Sequence, residues 1–451
     1  VEPMRLSEIA AVLGAPLRGA DASIAAVAID SRRLKPGELF VAISGQRFDG
    51  HDFIAAAAAA GAAGALVQRA GDWGLPHIVV DDTRLALGRL ARALRLRLPV
   101  RLVGVTGSNG KTTVKEMTAS ILRRLGPALH TEGNLNNDLG VPLTLLRLDR
   151  SHVFGVIEMG ASHAGEIDYL ARLAVPDVGV VTNAGPAHLA GFGSVDGVAR
   201  AKGELFAALP EHGVAVINAD DPYAALWRGL AGARRVIDFG LASAAAVTAE
   251  RIVGSRFLLR VDTGRVEVEL PLPGRHNVMN ALAAAAAATA LGAPLEAVAE
   301  GLAATPRVKG RLNWLDGIGG ARLLDDTYNA NPNSLRAALE VLAAEPGERW
   351  LALGDMSELG PQARELHARV GEWARELGVS RLFAVGPLAA EAARVFGPDG
   401  EHFPDKGALV TAVREGLRPG VAVLIKGSRV MGMEQVTQAL TAPTAIRGEE
   451  T

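Results

Sequence analysis

The segment TGSNGKTTVKEM, residues 106–117, follows the apolar run RLVGV (101–105) and opens a helical pattern, and this strand–turn–helix order sets the reading of the whole chain. Glycines at 107 and 110 let backbone N–H groups approach a phosphate closely. The helix N-terminus behind them adds its positive dipole, Lys111 can reach the outer phosphates, and the Thr112 hydroxyl can ligate magnesium. The run is the short G-x-x-G-K-T-T form of a phosphate loop, because the first glycine of the longer form would fall at Val105. A nucleoside triphosphate is the implied ligand, held by Gly107, Ser108, Asn109, Gly110, Lys111, Thr112 and Thr113.

Outward from the loop, short apolar runs alternate with helical stretches: VFGVIEMG (153–160), DVGVVTNAG (177–185) and GVAVINADD (213–221). That rhythm predicts a mostly parallel sheet covered by helices on both faces. A second series, ARLLDDTY (321–328), RWLALGD (349–355), RLFAVG (381–386) and VAVLIKGS (421–428), predicts a further α/β unit. Before residue 95, short apolar runs and polar turns predict a small α/β module. The expected architecture is therefore α/β in three domains: a small N-terminal domain (1–97), a central phosphate-loop domain with a parallel sheet (98–310), and a C-terminal Rossmann-like domain (311–451). Hinges are expected near Pro99 and Gly310. The uncharged run Val278–Leu295 is mostly alanine and contains Asn280, Thr289, Gly292 and Pro294, so it reads as a buried helix and not a membrane span.

Composition narrows the function. With 451 residues, 49% hydrophobic and 21% charged, several cores can form. The 47 basic and 49 acidic side chains give a charge of -2, so there is no general positive field for a nucleic acid or an anionic membrane, and neither is an expected partner. The absence of cysteine excludes disulfides, thiolate metal sites and a cysteine nucleophile. The opening VEPMRLSEIAAVLG is acidic early and carries no long apolar core, which leads us to expect a cytoplasmic protein. Seven of the 47 basic residues are lysine, so a retained lysine points toward chemistry that guanidinium cannot perform.

Ligands of open parallel sheets collect at the carboxyl ends of the strands. Glu158, closing VFGVIE, is well placed as a magnesium carboxylate; a strand-end salt bridge is the alternative. His188 in NAGPAHL and Lys202 in RAKGELF follow the next strand.

Taken together with TEGNLNNDLGVPLTLL (131–146), EMGASHAGEIDYL (158–170), GRHNVMNALAA (274–284), DDTYNANPNSL (325–335) and KGSRVMGME (426–434), these runs resemble the Mur ligase family of ATP-dependent amide ligases through the whole chain. Within that family, the Y-N-A-N-P-x-S and G-N-x-N-N runs look like the member that adds D-alanyl-D-alanine to UDP-N-acetylmuramoyl-tripeptide. The resemblance implies ATP and Mg2+ as cofactors and a monomer. Lys111 and Thr112 would hold ATP and magnesium, Glu158 would be a second magnesium ligand, and His188 would stand near a second ion. Lys202 is similar to the family lysine that is carbamylated. Asn277, Arg311 and Asp326 resemble the residues around adenine, ribose and phosphates. Asn134, Asn136, Asn137, Tyr328, Asn329, Asn331, Lys426, Ser428 and Arg429 look like substrate contacts. In the first domain, Ser31 and Arg32 of DSR, with Asp49 and His51 of FDGH, are similar to the UDP-binding loops. Alternatives on the same plan are the other Mur ligases or folylpolyglutamate synthase; an ATP-hydrolysing regulatory protein is an alternative of another class. The identity of the tripeptide's third residue is not readable from these motifs.

Overall fold

The computed structural model describes residues 3–45 and 48–442; the outermost ends of the expected first and last domains, 1–2 and 443–451, lie outside the described residues. At its centre is a six-stranded parallel sheet in the order Arg235–Phe239, Val214–Asn218, Val178–Val181, Arg101–Thr106, Phe154–Glu158, Ala128–His130. The inner strands Val214–Asn218, Val178–Val181 and Phe154–Glu158 are buried throughout and Arg101–Thr106 is buried after its first residue, as a sheet covered on both faces requires. The strand leading to the phosphate loop lies between its two neighbours, so Gly107–Lys111 emerges where the carboxyl ends of Phe154–Glu158 and Val178–Val181 flank it.

The alanine-rich run forms the helix Arg275–Ala290, buried almost all round. It packs on the helix Lys111–Leu122, which begins at the loop. Alanines allow the two axes to approach closely, so the helix supports the phosphate loop from below. Among the described residues no helix is long and apolar enough to cross a membrane.

A C-terminal sheet runs Asn313–Asp316, Arg322–Asp326, Val421–Lys426, Glu348–Gly354, Arg381–Val385, Gly400–Phe403, parallel except for its first strand. The N-terminal five-stranded sheet, Leu17–Arg18, His77–Val79, Gly64–Val67, Leu39–Val41, Val27–Ala28, is likewise parallel but for one edge strand. One element was not foreseen. Thr248–Val253, Arg256–Val261 and Gly264–Glu269 form a separate antiparallel meander beside the central sheet. Its signal is the alternation RFLLRV (256–261) before the tight turn at 262–264, with every second side chain buried.

One apolar core runs without a break from Leu6 and Ile9 through Leu87, Leu90 and Leu94 to Leu145, Leu170 and Trp227, so it joins the first domain to the central one. The C-terminal sheet has its own two cores, one on each face.

Candidate active site

Tertiary contacts fix the phosphate loop. Gly107 has φ +143°, and a Cβ there would come within 1.9 Å of the Thr182 hydroxyl; Gly110 has φ +80°, and its Cβ would meet the Asn280 side chain at 2.3 Å. Neither position admits another residue without displacement. The Ser108 N–H donates to the Asn183 carbonyl (3.0 Å), the Asn109 N–H to Asn183 Oδ1 (3.0 Å), and the Thr182 hydroxyl to the Asn109 carbonyl (2.6 Å). Asn183 is thus a clamp on the loop. The sequence reading passed over it, although it opens the NAGPAH run.

Lys111 lies back across its own loop, with Nζ donating to the carbonyls of Gly107 (2.6 Å) and Ser108 (3.3 Å). Burial pushes its pKa down; Glu158 opposes that shift and Arg311 adds to it. An ammonium held at such cost against its own loop is suited to meeting phosphate oxygens.

Glu158 ends its strand 3% exposed. Its Oε1 accepts from Asn136 Nδ2 (2.8 Å) and its N–H donates to the Thr131 hydroxyl (2.9 Å), while Oε2 is buried without a protein partner. An orphaned carboxylate oxygen costs free energy unless something positive meets it. The Thr112 hydroxyl stands at the head of the adjoining helix and accepts from Arg311 (2.9 Å). Both are hard oxygen donors, so they fit a magnesium ion shared with a triphosphate.

The second expected metal site does not fit as it stands. Among the described residues no three His, Asp or Glu side chains gather around one point. His188, in a left-handed conformation (φ +53°), directs Nδ1 to the Glu358 carboxylate of the C-terminal domain. Lys202 is 2% exposed; its Nζ donates to the Ala161 carbonyl (3.2 Å) and sits 5.1 Å from the Phe192 ring centre. It lies behind the cavity wall and not on it. Burial, helped by Lys111, pushes its pKa down to about 7.

Across the cleft, the C-terminal domain presents a second set. Asp326 and Lys426 form a nearly buried ion pair from neighbouring strands, and Lys426 also donates to the Asn329 carbonyl (2.9 Å). The Tyr328 ring has the guanidinium groups of Arg311 (4.2 Å) and Arg429 (5.7 Å) near its centre. Asn331 caps the helix Pro332–Ala343 and reaches over to Asn109 Oδ1 (2.7 Å). Asn277 spends its amide locally, on the Pro273 carbonyl (2.7 Å) and Asn280 (3.1 Å). Beside it, burial pushes the His276 pKa down to about 4, so this cavity-lining ring is neutral at pH 7.

These residues surround one cavity of about 1260 Å³. Its wall includes Ser108–Thr113, Asn134, Asn136, Asn137, Glu158, His188, Asn277, Arg311, Asp326, Tyr328, Asn329, Asn331, Lys426 and Arg429. It also includes residues not anticipated: Asp220, whose carboxylate accepts from the N–H groups of Leu241 (2.6 Å) and Ser243 (2.7 Å), and Arg84 with Asp138. Ser428 is off the wall, bonded to Ser357 (2.9 Å). The first-domain candidates are also elsewhere. Ser31 and Arg32 occupy a surface turn where Arg32 pairs with Asp30. His51 is buried, with Nδ1 on Asp49 (2.6 Å) and Nε2 accepting from the Gln68 N–H (2.9 Å), so its ring holds that loop together.

Three family models match in order along the chain: the Mur ligase family catalytic domain over residues 23–101, the Mur ligase middle domain over 105–288, and the Mur ligase glutamate ligase domain over 310–429. The UDP-N-acetylmuramoyl-tripeptide--D-alanyl-D-alanine ligase of Escherichia coli is 48% identical over 442 residues, covering 96% of this chain and 98% of that protein. Among solved structures, MurF from Acinetobacter baumannii superposes with a TM-score of 0.92 at 37% identity, covering 97% of this chain and 98% of that one. A further structure from that organism, TM-score 0.88, is named for a 2,6-diaminopimelate-containing substrate. MurF ligase from Thermotoga maritima in complex with ADP gives 0.82 at 28% identity, covering 92% and 96%.

Proposed function

The chain belongs to the Mur ligase family, and from that premise we propose that it joins D-alanyl-D-alanine to UDP-N-acetylmuramoyl-tripeptide at the expense of ATP, in peptidoglycan precursor synthesis. The observation that carries this reading is the shared cavity: Lys111 and the unpaired Glu158 oxygen face it from one domain, Arg311, Asp326 and Lys426 from the next.

The chemistry explains why cations gather there. A carboxylate does not acylate an amine at neutral pH, because the anion offers no leaving group. The tripeptide carboxylate attacks the γ-phosphorus of ATP, ADP departs, and an acyl phosphate forms. The amine of D-alanyl-D-alanine then attacks the acyl carbon, loses a proton, and expels inorganic phosphate. Two anions must meet in line in the first step, and Lys111 with Arg311 lowers their repulsion through position and charge. Magnesium, held through Thr112 and Glu158, would neutralise further phosphate charge.

Lys202 extends the proposal. With a pKa near 7 about half of its amine is neutral at pH 7, and only the neutral form adds carbon dioxide. A carbamate there would be an anion, and it would put hard oxygen donors in place of a cation whose charge now acts on His188. Lys202→Ala is expected to lose most ligase activity while still binding ATP, without rescue by bicarbonate. Intact-mass measurement under native conditions tests the modification separately.

The first domain would hold the UDP end, the central domain the triphosphate, and the C-terminal domain the amine, in a cytoplasmic monomer. ADP release should require the UDP-tripeptide and D-alanyl-D-alanine together. Release that depends on D-glutamate, a free diamino acid or folate in place of the dipeptide overturns the choice of substrate.

A further inference from the structure

The phosphate-loop run carries a second lysine that the reaction as described does not use. Lys115 lies one turn beyond Lys111 on the helix Lys111–Leu122, with its side chain 1% exposed. It does not line the cavity, so it acts on no ligand directly. Its Nζ donates to the Thr131 carbonyl (2.8 Å) and pairs with Glu116 Oε1 (2.7 Å). The other Glu116 oxygen is 3.5 Å from His130 Nε2. The buried ammonium therefore ties the loop's helix to the end of the edge strand Ala128–His130.

Stability does not account for this arrangement. A buried ion pair contributes little compared with apolar residues of the same size, because both charges must leave water. Lys115 also belongs to a chain whose cations are mostly arginine. Its compact head meets a carbonyl and a carboxylate from one point, where a planar guanidinium needs more room.

What the contact holds is Thr131, which is fully buried. The Thr131 N–H donates to the Val156 carbonyl (3.0 Å), and its hydroxyl accepts from the Glu158 N–H (2.9 Å), so it clasps the carboxyl end of the strand Phe154–Glu158. Further along the same segment, Asn136 Nδ2 reaches Glu158 Oε1 (2.8 Å). The segment 131–136 thus grips Glu158 by backbone and by carboxylate, and leaves Oε2 as the free oxygen. The other hard donor, Thr112, precedes Lys115 by three positions on one helix and shares its face. The two oxygen donors belong to different elements, and the Lys115–Thr131 contact joins those elements beside them.

Resting on the magnesium assignment in the ligase reading above, we propose that Lys115 is a positioning residue: through Thr131 it sets the Glu158 carboxylate relative to Thr112, and so the affinity of the magnesium site. No covalent change occurs at Lys115.

The test uses Mn2+ in place of magnesium, with the full chain and a non-hydrolysable ATP analogue, and counts free Mn2+ by electron paramagnetic resonance. Lys115→Met keeps the length and removes the charge, and should weaken nucleotide-dependent Mn2+ binding by about 10- to 100-fold, the range for a partner that orients a metal-binding side chain. The analogue's affinity in EDTA should stay as in wild type, since the phosphate loop is intact. Thr131→Val keeps the carbonyl that Lys115 meets but removes the hydroxyl on Glu158, and should weaken Mn2+ to a similar extent. Because both act through one chain of contacts, the double variant should bind no more weakly than the weaker single variant. In turnover, the Mg2+ concentration for half-maximal rate should rise by the same factor, with the KM for D-alanyl-D-alanine unchanged. Should Lys115→Met not fold, Lys115→Gln, neutral and too short to reach the carbonyl, carries the same expectation. Wild-type Mn2+ affinity in either single variant, or losses that multiply in the double variant, overturns the role, as does a Lys115 variant that shows only a lower urea midpoint. A wild type that binds Mn2+ but releases ADP without needing the UDP-tripeptide and the dipeptide overturns the ligase reading and leaves the role of Lys115 standing.

Discussion

The two joints between domains are built from opposite materials. Between the first and central domains, Leu87, Leu90 and Leu94 of one helix enter a core shared with Leu145 and Leu170, and Gly88 approaches Tyr169 so closely that a Cβ would come within 2.4 Å of the phenol oxygen. Between the central and C-terminal domains no apolar cluster is shared among the described residues. The contacts include Arg311 to Thr112, Asn331 to Asn109 and His188 to Glu358, all at the rim of the cavity. Apolar surface once buried resists reopening, whereas hydrogen bonds at a wet rim exchange with water at little net cost. On that difference we expect the moving joint at Gly310. The hinge expected at Pro99 falls inside packed structure, since Leu98 and Val100 on either side are 5% and 2% exposed.

The largest effects should separate the joints by what they damage. Leu90→Ala is expected to destabilise the protein by about 2–5 kcal/mol, read from urea unfolding, with little change in the KM for ATP. Arg311→Ala is expected to do the reverse, lowering kcat/KM on the order of 100-fold while the urea midpoint stays close to wild type. If Arg311→Ala unfolds the protein as readily as Leu90→Ala, the contrast between the joints is lost.

Motion gives a more direct reading, and the absence of native cysteine makes paired labels simple to place. Dyes at Val253→Cys and Arg364→Cys, across Gly310, should change their transfer efficiency when an ATP analogue and the UDP-tripeptide bind. Dyes at Val253→Cys and Lys35→Cys, across Pro99, should not. Equal changes in both pairs would place a hinge on the apolar side as well.

The smallest expected effect concerns pH. His276, on the central domain's helix Arg275–Ala290 and within the charge influence of Asp326 and Lys426, has a folded pKa near 4 against an ordinary value near 6.5. Between those values the unfolded chain binds the proton and the folded chain does not. Stability contributed by the neutral ring is therefore complete above about pH 6.5 and falls as pH drops toward 4. His276→Gln should lower the sensitivity of the melting temperature to acid over that window, and an unchanged slope would show that the ring is solvated.

Much of this was legible in advance because it depends on short-range rules. Every central and C-terminal strand named from its apolar run is a strand, since burial on both faces leaves an uninterrupted signature. Lys111, Thr112 and Glu158 stand together because a loop and a strand end fixed by the backbone put them there. The meander 248–269 escaped attention because its half-buried alternation is weaker than the continuous runs beside it. Asn183, Asp220 and Glu358 escaped because their partners lie far along the chain, on the phosphate loop, at Leu241–Ser243 and at His188.

What the sequence determined alone is the phosphate loop, the buried strands that uninterrupted apolar runs mark in the central and C-terminal sheets, and the family, because glycine conformations, apolar periodicity and motif spacing act within a few residues. Only the tertiary structure decided which joint is apolar and which is polar, that Lys202 lies behind the wall with its pKa pushed down to about 7, and that Arg84 meets Asp138 54 positions away. Burial and pairing energies depend on neighbours in space, and the chain specifies those neighbours only once it has folded.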